Sequence, residues 1–225
     1  MYIIIVGAGE IGSQLIDIAT RSTNDIVVIE KDQERAETAA RRFDCLVLNE
    51  DATVKETLAD AGAERADAII STTDEDAINI MVMLLAQEFE IPSLVSVAHN
   101  PDHMGIFRQI GVNVIENPQR LIAEYLYRAV QRPSVKDFMQ LAGGAEVFEI
   151  TVVENAPIAN LKLMEADDRG ILGEETLVVA IERGGETLIP KGNTEIYPGD
   201  LATVFSLKGV TSDVMHVFTG KPAEE

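Results

Sequence analysis

The sequence has no tryptophan, only one cysteine and few basic side chains. Aromatic residues make up 5% of its 225 residues, and 18 lysines and arginines stand against 38 aspartates and glutamates, which leaves a formal net charge of −20. The single cysteine, Cys45, excludes an intramolecular disulfide framework and fits a reducing compartment. The shortage of cations argues against a nucleic-acid partner, because binding to a phosphate backbone depends on lysine and arginine.

No apolar run has the length of a membrane span or the layout of an export signal. The longest run, around residues 78–86, is interrupted by Asn79 and is far short of the roughly 20 residues that a membrane helix needs. The apolar start, Tyr2–Val6, has no basic segment before it and continues directly into glycines. We therefore expect a soluble, cytoplasmic protein.

The acidic residues are dispersed over a chain that is otherwise typical of a folded protein. Hydrophobic residues make up 46% of the sequence, which excludes a disordered acidic chain. Acidic residues outnumber basic ones 23 to 12 up to residue 140, and 15 to 6 beyond it. An even excess of this kind favours a halophilic protein whose surface repulsion is screened by salt. A generally acidic protein from an ordinary cytoplasm is the alternative.

Residues 1–117 alternate short β-rich runs with helical patterns. Strands of isoleucine and valine separated by helices indicate βαβ crossovers and a parallel sheet, so we predict a Rossmann-like, doubly wound α/β domain. The predicted strands are Tyr2–Val6, Ile26–Glu30, Cys45–Leu48, Ala68–Ser71, Ser93–Ala98 and Val112–Ile115. The predicted helices are Ile11–Thr20, Gln33–Arg42, Val54–Ala61, Ala77–Phe89 and His103–Ile110.

Residues 118–144 predict a connecting segment. An amphipathic helix over Pro118–Gln131 has a broad apolar stripe, which either packs on its own domain or contacts another subunit. Pro133 ends this helix, and the run Ala142–Ala145, which contains two glycines, is a natural hinge.

Residues 145–225 predict a small α+β domain of different composition. The pair Gly184–Gly185 indicates a two-residue hairpin, and Pro198–Asp200 indicates a turn. The predicted strands are Val147–Val153, Thr176–Arg183, Glu186–Ile189 and Leu201–Leu207, and the predicted helices are Ile158–Leu163 and Ser212–Val217.

The strongest motif is G-x-G-x-x-G, which lies between the first predicted strand and the first predicted helix, as dinucleotide binding requires. In it, Gly7 permits a tight turn, Gly9 lets backbone amides approach a pyrophosphate, and Gly12 permits close helix–strand packing. The helix N-terminus adds amides and a favourable dipole for an anion. The motif residues are Gly7, Ala8, Gly9, Glu10, Ile11 and Gly12.

An acidic residue at the end of the second strand suggests which nucleotide binds. Glu30 could accept hydrogen bonds from ribose hydroxyls and would repel a 2′-phosphate, which favours NAD(H) or an adenosine nucleotide over NADP. The alternative is that Glu30 caps the next helix. Lys31 faces either the ribose or solvent, and the sequence leaves both open.

Polar groups also follow the third and fourth predicted strands. Because ligands of open α/β sheets bind outside the carboxyl ends of the strands, we expect both clusters to border the nucleotide crevice, with helix capping as a compatible role. The clusters are Glu50, Asp51, Ala52 and Thr53, and Thr72, Thr73 and Asp74.

The sequence offers little catalytic chemistry. No tyrosine is followed four residues later by a lysine, as short-chain dehydrogenases require, and no G-K-[ST] follows the glycines. His99 and His103 are four residues apart, but Pro101 interrupts a helix that would align them for a metal. An NAD-dependent oxidoreductase of short-chain type remains the alternative function.

The order of these motifs resembles the TrkA-type RCK/KTN family over nearly the whole chain. The second half resembles the RCK C-terminal domain through Gly170–Leu172, Leu177–Arg183, Ile189–Pro190 and Pro198–Asp200. The first half resembles the RCK N-terminal domain through Ile3–Gly12, Val27–Asp32, Asp51–Thr53, Thr72–Asp74 and Asn79.

The resemblance implies a regulator rather than an enzyme. Such proteins bind NAD(H) or ATP/ADP, form tetramers or octameric rings, and act from the cytoplasm on a Trk-family membrane potassium transporter. The resemblance places the first five motif residues on the pyrophosphate and Glu30 on the ribose. It also implies that the pocket is completed by Asp51, Ala52, Thr73 and Asp74.

Two departures from the family pattern change these expectations. Family members often carry an arginine on the fifth strand that reaches the phosphates, and the matching residue here is Val97. This departure weakens the expectation of tight triphosphate binding and leaves the ligand open. Because the protein is acidic and has few cations near the phosphates, we expect most of the binding to come from the backbone amides of Gly7–Gly12. Some relatives contain two such domain pairs in tandem, whereas this chain has one, so a ring would require homo-oligomerisation.

Overall fold

The computed structural model describes residues 1–220, apart from the side chains of residues 114–116 and 142. The chain forms two compact units, residues 1–124 and residues 125 onward. Each unit has its own sheet and its own hydrophobic core. None of the helices within residues 1–220 combines the length and the hydropathy that a membrane span requires.

A parallel sheet of six strands forms the centre of the first unit. Its order is β3-β2-β1-β4-β5-β6, and helices cover both faces. Because both faces are covered, the strands are nearly all apolar: Ile4 and Val6 enter one core, and Ile5 enters the other. The strands are β1 (Tyr2–Val6), β2 (Asp25–Ile29), β3 (Leu46–Leu48), β4 (Ala68–Ser71), β5 (Ser93–Ala98) and β6 (Asn113–Glu116).

Each crossover in this unit returns the chain to the amino end of the next parallel strand. The loops that follow the strands therefore meet at one edge of the sheet, where the glycine motif and the polar clusters lie. Cys45 lies just before β3 and packs against the core of the first unit that contains Ile5. The helices are α1 (Glu10–Thr20), α2 (Gln33–Arg42), α3 (Lys55–Asp60), α4 (Asp76–Glu88) and α5 (Met104–Gln109).

The boundary between the two units lies within α6 (Pro118–Gln131), a helix with no buried residue. The second unit has an antiparallel sheet in the order β10-β9-β11-β8-β7 and two short helices, α7 (Leu163–Asp168) and α8 (Ser212–Thr219). Its strands are β7 (Val135–Gln140), β8 (Glu146–Thr151), β9 (Thr176–Arg183), β10 (Glu186–Leu188) and β11 (Leu201–Ser206).

Two buried carboxylates join separate parts of the second unit. The carboxylate of Asp200 accepts hydrogen bonds from Nε and Nη2 of Arg183, each at 2.7 Å, and from the backbone N–H of Tyr197 at 2.8 Å. The carboxylate of Glu146 accepts hydrogen bonds from the guanidinium groups of Arg128, at 3.3 Å, and Arg132, at 3.1 Å. The first carboxylate fixes the turn before β11 to β9, and the second fixes the end of α6 to β8.

The predicted fold class is confirmed: a doubly wound parallel sheet is followed by a small α+β unit. The elements that begin and end where the sequence predicts are Tyr2–Val6, Gln33–Arg42, Ala68–Ser71, Ser93–Ala98, Pro118–Gln131 and Thr176–Arg183. Most others differ by one or two residues at an end, which is the usual uncertainty of a helix or strand boundary.

The predicted helix Ile158–Leu163 is wrong. This segment forms turns and an isolated bridge at Lys162, and the helix of this region is α7, which begins at Leu163. The sequence also misses β7. The glycines of the predicted hinge lie in a turn between β7 and β8, which pair with each other, so this part of the connecting segment belongs to the second sheet.

Candidate functional site

An open cleft lies at the carboxyl edge of the parallel sheet, next to the point where the strand order reverses between β1 and β4. A reversal of this kind is where doubly wound sheets bind ligands. The cleft has a volume of about 170 Å³. It is lined by Val6, Gly7, Gly9, Ile29, Glu30, Lys31, Arg35, Glu50, Asp51, Ala52, Thr72, Thr73, Asp74, Glu75 and Ile78.

Two glycines of the motif are required by the backbone itself. Gly7 has a φ of +93°, in the region that L side chains avoid. A methyl group on Gly12 would lie 2.0 Å from the carbonyl oxygen of Gly7, far inside contact distance. These two residues let α1 approach β1 closely enough to start directly above the cleft.

Gly9 is different, because the fold alone does not require a glycine there. Its φ is −68°, and a methyl group would meet only Nη1 of Arg35, at an ordinary 3.6 Å. Gly9 is the N-cap of α1, and no side chain caps this helix. The backbone N–H groups of the first turn, which includes Glu10 and Ile11, are therefore available to an anion.

Glu30 is held in place by backbone donors. The N–H of Ala8 donates to its Oε2 at 2.6 Å, and the N–H of Asp32 donates to its Oε1 at 2.8 Å. The cap of α2 is Asp32, which accepts from the N–H of Arg35, so the alternative that Glu30 caps this helix is wrong. Glu30 is buried with a fixed carboxylate whose remaining lone pairs can accept hydroxyl donors.

Lys31 and Asp51 form an ion pair across the cleft, with Nζ 2.8 Å from Oδ2. Asp51 also accepts from the backbone N–H of Thr53 at 2.9 Å and from its hydroxyl at 2.6 Å. Lys31 and Thr53 together lower the pKa of Asp51 to about 2, and the bond to Asp51 raises the pKa of Lys31. The lysine charge is therefore already neutralised by a neighbouring residue.

The loop after β4 is organised by a buried amide. Oδ1 of Asn79 accepts from the hydroxyls of Ser71 and Thr73, each at 2.7 Å, and its Nδ2 donates to the carbonyl of Thr73 at 3.0 Å. Thr72 donates to the carbonyls of Val6 and Gly7, both at 3.2 Å. This network fixes the wall of the cleft that faces the glycine turn.

The two histidines are engaged beside the cleft. Nε2 of His99 lies 3.1 Å from the carbonyl oxygen of Thr73, and Nδ1 of His103 lies 2.8 Å from Oδ2 of Asp76. Burial would raise the pKa of Asp76, but backbone N–H groups of His99 and Asn100, with the ring of His103, lower it overall. Within the described part of the chain, no group of three His, Cys, Asp or Glu could hold a metal ion.

The structure brings together most of the residues predicted for the site. The residues that line the cleft are Gly7, Gly9, Glu30, Lys31, Asp51, Ala52, Thr72, Thr73 and Asp74. The predicted residues that do not line it are Ala8, Glu10, Ile11, Gly12 and Thr53. Of these, Ala8 and Thr53 donate to the carboxylates of two lining residues, Glu30 and Asp51.

Sequence reasoning missed Arg35 and Glu75 on the cleft wall. Arg35 lies in the first turn of α2, three residues after the cap Asp32, where a side chain can reach back over the preceding strand end. Val97, at the position where relatives often have arginine, is a buried residue of β5 and does not line the cleft. Arg35 therefore places a positive charge near the glycine turn. The fifth strand, with Val97, places none there.

The chain matches two protein-family models, the TrkA-N domain over residues 3–118 and the TrkA-C domain over residues 147–218. It is similar to the Trk system potassium uptake protein TrkA homolog of Methanothermobacter thermautotrophicus, at 26% identity over 98% of this chain and 100% of the relative. It is also similar to the homolog of the same name from Pyrococcus abyssi, at 27% identity over the full length of both.

Solved structures share the fold. The GsuK channel bound to NAD matches all of this chain and 40% of its own, with a TM-score of 0.67 and 19% identity. The TrkA-N domain of the inner membrane protein ybaL from Escherichia coli matches 57% of this chain and 96% of its own, with a TM-score of 0.53 and 22% identity. At these identities the structures establish the fold alone.

The TrkA-N model by itself spans more than half of the sequence, and the TrkA-C model spans most of the second unit. The resemblance to TrkA-type RCK proteins is thereby confirmed: the chain belongs to the TrkA family, with a TrkA-N domain followed by a TrkA-C domain.

Proposed function

We propose that this chain is the nucleotide-binding regulatory subunit of a Trk-type potassium transporter, and that NAD(H) or ATP/ADP binds in the cleft. The observation that carries the proposal is the pairing of an uncapped helix N-terminus at Gly9 with the fixed, buried carboxylate of Glu30. The first suits a pyrophosphate and the second suits ribose hydroxyls.

In this proposal the nucleotide lies across the cleft from the glycine turn to the ends of β3 and β4. The pyrophosphate contacts the amides of Gly9, Glu10 and Ile11, and the ribose contacts Glu30. The adenine end lies against the residues that follow β3 and β4, namely Asp51, Ala52, Thr73 and Asp74.

The names of similar proteins agree with this assignment. The curated relatives are called potassium uptake proteins. One solved GsuK structure is described as bound to NAD and another as bound to ADP. We extend both the partner and the ligand class to this chain, because the relatives match it over its whole length and the NAD-bound GsuK structure shares its fold.

The proposed role is regulatory rather than catalytic. Among the described residues that line the cleft there is no tyrosine, histidine or cysteine, three of the side chains that commonly transfer protons in enzymes. Two of its carboxylates, Glu30 and Asp51, and the hydroxyl of Thr73 are hydrogen-bonded to neighbouring groups. A site of this kind holds a ligand and transmits its presence.

We propose that several copies assemble beneath the transporter at the inner face of the membrane. Helix α6 has no buried residue, and its exposed apolar side chains would be covered by a contact with another subunit. In α6 these exposed side chains are Leu121, Ile122, Tyr125, Leu126, Tyr127 and Val130. In this assembly, residues 1–117 are the nucleotide domain, α6 within residues 118–144 connects, and residues 145–225, with β7 added to their sheet, are the regulatory domain.

A ligand shifts such an assembly only if it binds the two conformations with unequal affinity. A tenfold effect on transport requires about 1.4 kcal/mol of coupling free energy. We infer that the nucleotide changes the arrangement of paired nucleotide domains, and that the assembly transmits this change to the transporter.

Two measurements test the proposal. In a thermal-shift screen in high potassium chloride, at least one of NAD, NADH, ATP and ADP should raise the unfolding temperature, because binding to the native state stabilises it. In cells with the cognate transporter, Gly9→Asp should remove both this shift and the response of potassium uptake to nucleotide. Uptake that responds normally in the variant, despite lost binding, would contradict the regulatory role.

A further inference from the structure

The walls of the cleft are strongly acidic, although the proposed ligand is an anion. Its acidic lining residues are Glu30, Glu50, Asp51, Asp74 and Glu75, and its basic ones are Lys31 and Arg35. Phosphates entering this cleft meet repulsion that the amides of one helix end offset only in part, since a helix terminus is equivalent to roughly half an elementary charge. A cation placed near the phosphates would lower this cost.

Lys31 is poorly suited to that task, because its ammonium group already pairs with Asp51. Arg35 is different. No carboxylate of the described residues lies within ion-pair distance of its guanidinium, whereas Lys31 has Asp51 at that distance. Its backbone N–H donates a hydrogen bond to Asp32. An exposed guanidinium with five donors and no partner is ready to bind an anion.

The position of Arg35 selects the phosphates as its target. Its Nη1 lies 3.6 Å from the point that a methyl group on Gly9 would occupy, and Gly9 is the N-cap residue of α1. An anion held by the first-turn amides of α1 would therefore lie within reach of the guanidinium. Arginine binds phosphate oxygens through two parallel hydrogen bonds, which fixes orientation as well as charge.

We infer that Arg35 is a phosphate-binding residue of this cleft, acting with the N-terminus of α1 on the phosphates of the bound adenine nucleotide. The inference rests on the proposed nucleotide binding and adds the residue that makes an acidic cleft receptive to phosphate. It also places the phosphate-binding cation on α2. Relatives often have it on the fifth strand, where this chain has the buried Val97.

Calorimetric titration of the full chain with ADP and with adenosine tests this role. Arg35→Gln should weaken ADP binding about tenfold, which corresponds to about 1.4 kcal/mol, and should leave adenosine binding unchanged. Arg35→Lys should recover part of the loss. The matched control is Arg41→Gln, because Arg41 lies on the same helix, pairs with Glu37 and does not line the cleft. This variant should bind both ligands like the parent chain.

Other outcomes separate the inference from the proposal on which it rests. Equal weakening of ADP and adenosine by Arg35→Gln would mean that the arginine stacks on the adenine, and the inference would be wrong. Unchanged binding of both ligands would also overturn it while leaving nucleotide binding intact. A parent chain that binds neither ADP nor, in the thermal-shift screen, NAD, NADH or ATP would overturn the proposed function itself. Unfolding temperatures of all variants, measured without ligand, verify that each is folded.

Discussion

Gly9 and Gly12 belong to one loop but are under different physical constraints. Gly12 has no room for a side chain, because its missing Cβ would collide with the backbone of Gly7. Gly9 has room for a methyl group, yet that group would project from the N-cap of α1, where the proposed pyrophosphate binds. Gly12 is needed for the fold, and in the proposed function Gly9 is needed for close approach of a ligand.

These constraints predict opposite results for two alanine variants. Gly12→Ala should lower the free energy of unfolding by about 3 kcal/mol or more, since the clash is with backbone that cannot move aside cheaply. Gly9→Ala should change it by less than about 1 kcal/mol and should weaken nucleotide binding. Urea denaturation and calorimetric titration check the pair. A stable Gly12→Ala protein would mean that α1 can shift away from β1.

Most cleft-lining residues could be predicted from sequence because they lie at fixed offsets from strand ends. Gly7 and Glu30 follow directly from the glycine fingerprint and the end of β2. Arg35 could not be identified in this way. Its sequence position fits an ordinary surface residue of α2, and its role depends on where a long side chain points and on which neighbours leave it unpaired.

At the scale of elements, Asp200 fixes a turn to a strand through its bidentate contact with Arg183. Asp200 is nearly fully buried, with 2% of its side chain exposed, whereas Arg183 is about one-third exposed. Burial would raise the pKa of Asp200, but hydrogen bonds from Arg183 and from the N–H of Tyr197 outweigh it, so the pKa lies below its usual value. The ionised carboxylate therefore stabilises the fold.

Asp200→Asn should lower the free energy of unfolding by about 2 kcal/mol at neutral pH. This estimate lies below the 3–5 kcal/mol of a fully buried pair, because solvent reaches Arg183. A lowered folded-state pKa gives stabilisation that is complete well above the unfolded value near 3.9 and is lost as the pH falls through the folded value. The difference between parent and variant should therefore shrink below about pH 4.

Denaturant unfolding of both proteins from pH 7 down to pH 3 measures this difference. Met139→Ala, at an exposed position of β7 on the opposite edge of the same sheet, should show no comparable dependence on pH. A difference that stays constant over the whole range would mean that Asp200 acts through shape rather than charge.

The parallel sheet was predictable because its strands are apolar on both faces and its helices are amphipathic. The second unit was predicted less well, for local reasons. Asn160 has a φ of +59°, which ends any helix through Ile158–Leu163, and its N–H pairs with the carbonyl of Ile196. Tertiary pairing with a distant segment thus overrides a helical pattern. β7 shows no alternation of buried and exposed residues, so no periodic pattern marks it as a strand.

At the scale of the whole molecule, the charge of −20 is distributed over both units. Ion pairs among the described residues relieve little of it, since most of them join exposed or partly exposed side chains, and pairs of this kind contribute about 0–1 kcal/mol each. The remaining carboxylates repel one another in the compact state and in any assembly of several copies. Salt screens this repulsion, because the Debye length falls from about 30 Å at 0.01 M to about 3 Å at 1 M.

We therefore predict that stability and assembly both depend on salt. Raising potassium chloride from about 0.05 M to about 1 M should increase the unfolding temperature by several degrees, as about 1 kcal/mol corresponds to about 2–4 °C in a protein of this size. Sedimentation in the same series should show smaller species at low salt. Sucrose at matched osmolality is the control, because it acts by exclusion from the surface and screens no charge. An oligomer that stays intact in dilute buffer, with an unchanged unfolding temperature, would show that the acidic surface needs no screening.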